Sequence, residues 1–264
     1  MFQQEFLKII RRRSYGIIFG LLLLAAFGSF LYACQFWYGA DKTTVYAAKQ
    51  HFVLGGMEPF VLNTVFSSLL PIVVSIAVSD VYDIERENGT TNLVFTRISK
   101  RKNIRLKARA VCVAAFLLIL VPLVLNAVLC LLTFPCFGVR LDSPVYMKLI
   151  WGERQQSWVK WSVFQPYLVA GLLIFGRCLI GMCFGLFSFS VSVLKQGNRY
   201  FNLLSAFVLS ILYSAINALL PFSWNDIYAT NIQNSGAEIG VFLLVVFVIS
   251  VFFLEIGGRR EEVA

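Results

Sequence analysis

The sequence predicts an all-α membrane protein with six transmembrane helices, an N-terminal interfacial amphipathic helix and a short cytoplasmic helix between spans 2 and 3. Of its 264 residues, 58% are apolar and 14% are charged, which lies outside the range of soluble domains. The apolar residues fall in runs of about 20, the length that a helix needs to cross a bilayer core of about 30 Å. These runs lack the alternation of a barrel strand, and lipid offers no partner for unpaired backbone amides, so helices are required.

The predicted spans make the chain one transmembrane domain over residues 1–264, with no segment long enough to fold separately in water. They are residues 15–38, 59–79, 110–134, 166–194, 201–221 and 239–257. Residues 1–14 precede them and carry apolar residues at helical spacing, which predicts an interfacial helix; an irregular basic flank is the alternative.

The basic residues predict the orientation. An even number of spans places both termini on one side, where sixteen Lys and Arg residues fall, against six on the other side. Cytoplasmic loops carry the excess of positive charge, so the termini and residues 80–109 are expected inside, with the large loop 135–165 outside. Retention of basic residues also explains the net charge of +9 without a nucleic-acid partner.

Residues 80–109 carry the densest charge in the chain. Gly89 is suited to end a helical extension of the second span, and Thr90 can cap the next turn. Beyond it, Val94, Phe95 and Ile98 form a small apolar face. A short helical turn with an apolar face can insert into a groove of a soluble partner. The alternative is an ordinary cytoplasmic loop whose Phe95 enters lipid. Ser99 can cap the third span, while Lys107 and its basic neighbours are expected to contact anionic headgroups.

Four of the polar residues inside predicted spans are candidates for a translocation path or gate. They are Asn63, Asn126, Arg177 and Asn217. An arginine near the bilayer centre costs about 2.5–3.5 kcal/mol, so Arg177 has a function or its span is displaced or broken. The asparagines can instead form hydrogen bonds between helices. Gly181 and Gly185 form a G-x-x-x-G pair that permits close helix approach, expected at a dimer contact.

The remaining reactive residues indicate no catalysis. The cysteines show no metal-binding spacing, although a disulfide between Cys34 and Cys136 is possible. His51 is the only histidine and is expected to be a solvated loop residue. No H-E-x-x-H, no paired catalytic groups at one depth and no phosphate-binding G-x-x-x-x-G-K-[ST] are found. We therefore expect neither an enzyme nor a metal site.

Residues 80–109 resemble the segment that carries the coupling helix in a known family. Glu85, Arg86, Glu87, Asn88, Gly89 and Thr90, followed by Leu93, Thr96, Ile98, Ser99 and Lys107, are similar to the ABC-2 type permease pattern. That pattern has an acidic pair, Gly-Thr, an apolar turn, Thr-Pro-x-Ser-basic and a later Lys. Arg97 stands where the family usually has proline.

The resemblance implies a permease subunit of a bacterial ATP-binding cassette transporter, in the cytoplasmic membrane. The residues implied to couple it to the ATPase are Glu85, Glu87, Gly89, Thr90, Leu93, Val94, Phe95, Thr96 and Ile98. ATP and Mg would be bound by a separate nucleotide-binding subunit, with no cofactor in this chain, and a second identical or paralogous permease would complete the path. The expected activity is export of an amphipathic peptide, drug or lipid-like molecule. A stand-alone secondary transporter or channel is the alternative.

Overall fold

The structure is a computed structural model that describes residues 2–40, 45, 47–53, 60–79, 81–87, 99–136, 165–195, 199–219 and 236–263. All regular elements within these ranges are helical, and none is a strand, which confirms the predicted all-α class. The α-helices are α1 (Phe2–Ile10), α2 (Arg13–Phe36), α3 (Phe60–Val78), α4 (Val81–Glu87), α5 (Lys100–Thr133), α6 (Pro166–Leu194), α7 (Arg199–Leu219) and α8 (Gly236–Val263). A short 3₁₀ helix covers Ala48–His51.

Among the residues that the structure describes, three stretches are long and apolar enough to cross a membrane: Arg13–Phe36, Arg101–Thr133 and Tyr167–Leu194. They lie in α2, α5 and α6 and match the predicted spans 1, 3 and 4. α3, α7 and α8 are helical at the positions of the other predicted spans. The helix predicted before span 1 is present as α1, and its Ile9 is buried.

α5 begins ten residues before the predicted third span, directly after Ser99. Ser99 has the extended backbone of an N-cap residue, but its side chain makes no capping hydrogen bond. The helix therefore continues from the apolar run into a charged segment, where Arg101, Lys102, Arg105 and Arg109 are exposed.

α6 lies at the centre of the bundle and packs against α3, α5, α7 and α8. Close packing is possible because Gly181 and Gly185 turn toward neighbours in the same chain. A Cβ on Gly185 would lie 3.0 Å from the Ala115 Cβ and 3.1 Å from a Val74 methyl carbon. The prediction that these glycines form a dimer contact is wrong, because α5 and α3 already occupy their face.

The helices alternate in direction between two ends of the bundle. The distal end is defined by a cluster that includes Ala33 of α2, Cys130 of α5 and Ala170 of α6. α2 and α5 end there, and α6 begins there. The opposite, basal end carries α1 and α4, the start of α7 and the end of α8, where Arg105 contacts Glu255.

His51 lies at the distal end and is fully buried, with 0% of its surface exposed. Its ring stacks on Phe134, with centroids 4.0 Å apart, and meets Trp37 edge to face at 6.1 Å. The prediction of a solvated loop histidine is wrong, because imidazole packs between aromatic rings as an aromatic side chain. Cys34 and Cys136 are free thiols, so the possible disulfide between them is not formed.

Candidate functional site

The structure brings polar side chains from four helices together at the basal end. We call this group the basal cluster, and its members are Lys8 of α1, Tyr82, Asp83 and Glu85 of α4, Lys107 of α5 and Asn202 of α7. It lies where α4 ends and α5 begins, on either side of residues 88–98. The basal cluster therefore holds both flanks of the predicted coupling helix.

Lys107 and Glu85 form the centre of the basal cluster. The Lys107 ammonium contacts the Glu85 carboxylate and lies 5.6 Å from the centroid of the Tyr82 ring. Only 1% of the Lys107 side chain is exposed. A buried ammonium requires a counter-charge, because its desolvation is otherwise uncompensated. The prediction that Lys107 contacts lipid headgroups is wrong, since it turns inward to Glu85.

α1 is tied to α4 through the same carboxylate. The Lys8 Nζ lies 2.7 Å from Glu5 Oε1 and 3.6 Å from Glu85 Oε1. Burial lowers the pKa of Lys8, but the Glu5 and Glu85 carboxylates outweigh this effect and raise it above its ordinary value. Arg12 adds a second link, donating from Nη2 to the Val81 carbonyl oxygen at 3.3 Å.

α4 is also joined to α7. The Asn202 Nδ2 donates to Asp83 Oδ2 at 3.0 Å, and the Asn202 carbonyl accepts a hydrogen bond from Ser188 of α6. Asn202 is buried, so this bond lies inside the bundle. A helix of only two turns is thus connected by side chains to α1, α5 and α7.

The structure describes only part of the predicted coupling set. Glu85 is in the basal cluster, and Glu87 is the last residue of α4. Gly89, Thr90, Leu93, Val94, Phe95, Thr96 and Ile98 lie outside the described residues. Lys8, Tyr82, Asp83 and Asn202 were not predicted as site residues. Of these, only Tyr82 could have been indicated, because it lies three residues before Glu85 on the same helix face.

The structure describes the side chains of two of the four candidate path residues, Arg177 and Asn126. Arg177 is 1% exposed and lies on an unbroken α6, so the alternative of a broken fourth span is wrong. It is four residues before Gly181, which places it one turn along the face that packs on α3 and α5. Asn63 and Asn217 lie within α3 and α7, and the positions of their side chains are outside the described part of the structure.

Asn126 uses its amide to join three segments. Its Nδ2 donates to the Ala26 carbonyl oxygen at 2.9 Å, and its Oδ1 accepts from the Val53 amide at 3.0 Å. Asn126 thus links α5 to α2 and to the chain after the 3₁₀ helix. This geometry favours the helix-to-helix interpretation over a path residue.

Replacing Asn126 with leucine is expected to lower the free energy of unfolding by about 2–3 kcal/mol, because the buried Val53 amide loses its acceptor. Unfolding of the variant and the wild type in mixed detergent micelles measures this change in the free energy of unfolding. Thr133→Val is the control, since the exposed Thr133 bonds to the Leu129 carbonyl of its own helix. Equal stabilities of the two variants would show that Asn126 does not hold α2, α5 and the Val53 segment together.

Comparison with known proteins gives no match: no family model, no curated protein and no solved structure is similar to this chain.

Proposed function

We propose that the chain is the permease subunit of an ATP-binding cassette transporter in a bacterial cytoplasmic membrane. It would export an amphipathic substrate with energy from ATP hydrolysed on a separate subunit. The observation that supports this most directly is the pairing of Glu85 with the buried Lys107. Both residues belong to the permease-like sequence pattern, and their contact fixes the two helices that flank residues 88–98.

The proposed topology has six spans with both termini in the cytoplasm. The alternating directions of α2, α3, α5, α6, α7 and α8 are those of helices that each cross the same layer. Basic side chains are concentrated at the basal end, which supports a cytoplasmic location for it. Those that are exposed there include Arg11, Arg13, Arg101, Lys102, Arg109 and Arg259.

The proposed mechanism passes force through the basal cluster. A nucleotide-binding subunit docks on residues 89–98 and displaces this segment when it binds or hydrolyses ATP. Glu85 carries the displacement to α5 through Lys107 and to α1 through Lys8, while Asp83 carries it to α7 through Asn202. A second permease protomer, identical or paralogous, would face this bundle across the translocation path. No chemical step takes place in the chain.

Phe95→Asp is the sharpest test of this function, because it places a charge on the apolar face predicted to enter the ATPase. We expect co-purification of the ATPase to fall at least tenfold, since about 1.4 kcal/mol of lost affinity is sufficient. Phe95→Leu is the matched control and should retain binding. Substrate-stimulated ATP hydrolysis in vesicles should follow the same order.

Glu85 is unsuitable for that test because its replacement would disturb the buried pair with Lys107 as well as any docking contact. Transport by the purified chain alone, driven by an ion gradient and unaffected by Phe95→Asp, would contradict the proposal. That result would instead favour the secondary transporter.

A further inference from the structure

An apolar groove runs along the bundle between α2, α3 and α5, with a cavity volume of about 240 Å³. Its walls are apolar except at Ser29, and its rim includes Leu21, Val65 and Leu69, whose side chains are exposed. On a helix that crosses the membrane, exposed leucine and valine face lipid. The groove therefore opens toward the bilayer, so its occupant enters from the membrane and not from water.

The dimensions of the groove match one hydrocarbon chain. Along α2 it extends from Ile18 to Ser29, eleven residues apart, which is about 16 Å of helix. One leaflet contributes half of a bilayer core of about 30 Å, so an acyl chain of a leaflet is about 15 Å long. A two-chain lipid would need a second channel of the same length. This cavity provides a single channel, which suits one chain.

A polar group lies at the distal end of the groove. Ser29 lines it and is 1% exposed, and within the described part of the chain its Oγ has no hydrogen-bond partner. Buried hydroxyls are normally paired, because burial without a partner is costly. The neighbouring Asn126 amide is already committed to Ala26 and Val53. The Ser29 hydroxyl is thus the group at this end that is left for a ligand.

We propose that this groove binds a single-tailed amphiphile, with its hydrocarbon chain along α2 and an ester, amide or hydroxyl group at Ser29. Such a ligand would extend from Ser29 along α2 to Ile18, past the middle of the Arg13–Phe36 helix. The inference stands independently of the ATP-driven function, because binding to the groove requires no partner subunit.

Photolabelling of the full chain in phosphatidylcholine vesicles tests this proposal. The probe is a methyl laurate analogue with a diazirine on its chain, and labelled peptides are identified by mass spectrometry. We expect labelling to concentrate on the groove residues of α2, α3 and α5. A dodecane analogue with the same diazirine should label them about threefold to tenfold less, the effect of one hydrogen bond. Ser29→Ala should remove this preference, whereas Ser250→Ala should not, because Ser250 bonds to the Val246 carbonyl of its own helix.

Filling the groove gives a second, independent readout. Ala25→Phe and Val65→Phe place a ring in the groove or at its rim and should each reduce labelling about tenfold or more. Val248→Phe on the exposed face of α8 is the matched control and should leave labelling unchanged. Thermal unfolding of each variant verifies that the chain is folded. Labelling spread evenly over all lipid-facing helices, or stronger labelling of the groove by a diazirine-bearing phosphatidylcholine, would overturn the proposal.

Discussion

Replacing Lys107 with methionine is expected to lower the free energy of unfolding by about 3 kcal/mol. Removing one partner of a buried ion pair typically costs 3–5 kcal/mol, because the remaining charge loses its compensation. We expect the lower end of this energy range because Lys8 Nζ remains 3.6 Å from Glu85 Oε1 and still compensates part of the carboxylate charge. Methionine preserves most of the side-chain volume, so the change reports on charge more than on packing. Unfolding in mixed detergent micelles is the measurement.

Arg105→Gln is the matched control, because Arg105 and Glu255 form an ion pair whose side chains are 64% and 36% exposed. Pairs of this kind contribute about 0–1 kcal/mol, since water and salt screen them. We expect a loss below about 1 kcal/mol for Arg105→Gln. Losses of the same size for both variants would show that the Lys107 pair behaves as a surface pair.

The double variant Glu85→Gln/Lys107→Met separates stability from coupling. Removing both charges eliminates the unpaired carboxylate, so the double variant should recover more than half of the stability lost in Lys107→Met. If the basal cluster transmits force, the ATPase should still bind to this variant, but substrate should stimulate its ATP hydrolysis less. Full stimulation in a stable double variant would show that force follows another route.

The helices could be predicted from the sequence because an apolar run of the right length has few alternatives in lipid. The apolar runs that form α2, α5 and α6 predict helices from their composition alone. The extension of α5 back to Lys100 was indicated by the predicted capping residue Ser99 and not by composition. Hydropathy marks only the lipid-embedded part of a helix, and residues 100–109 are mostly charged or polar.

The basal cluster was harder to predict because its contacts join residues distant in sequence. Glu85 and Lys107 are 22 residues apart, and Asp83 and Asn202 are 119 apart. The permease-like pattern includes Glu85 and Lys107, but it does not indicate that they contact each other. Residue type alone places Lys107 at the headgroups and His51 in water. Both are buried, because a carboxylate and an aromatic pocket, respectively, provide partners that composition does not reveal.

Gly185→Leu is expected to destabilise the bundle by about 3 kcal/mol or more, because overpacking of a filled interior forces backbones apart. A Cβ at this position would already lie 3.0–3.2 Å from carbon atoms of Ala115, Val74 and Val78. At Gly181, by contrast, the close atom is the terminal Cδ1 of Ile119, which can rotate away. A side chain at 185 therefore meets both α3 and α5 from its Cβ onward.

Gly176→Leu on the same helix is the matched control, because a Cβ there would meet no atom within 4 Å. We expect Gly176→Leu to unfold at or above the wild-type midpoint, since leucine favours helix over glycine. Unfolding and oligomer size are measured together for both variants. If Gly185 packs within one chain, Gly185→Leu lowers the stability of the monomer itself. A dimer that dissociates into monomers of wild-type stability would instead assign this glycine face to an interface between protomers.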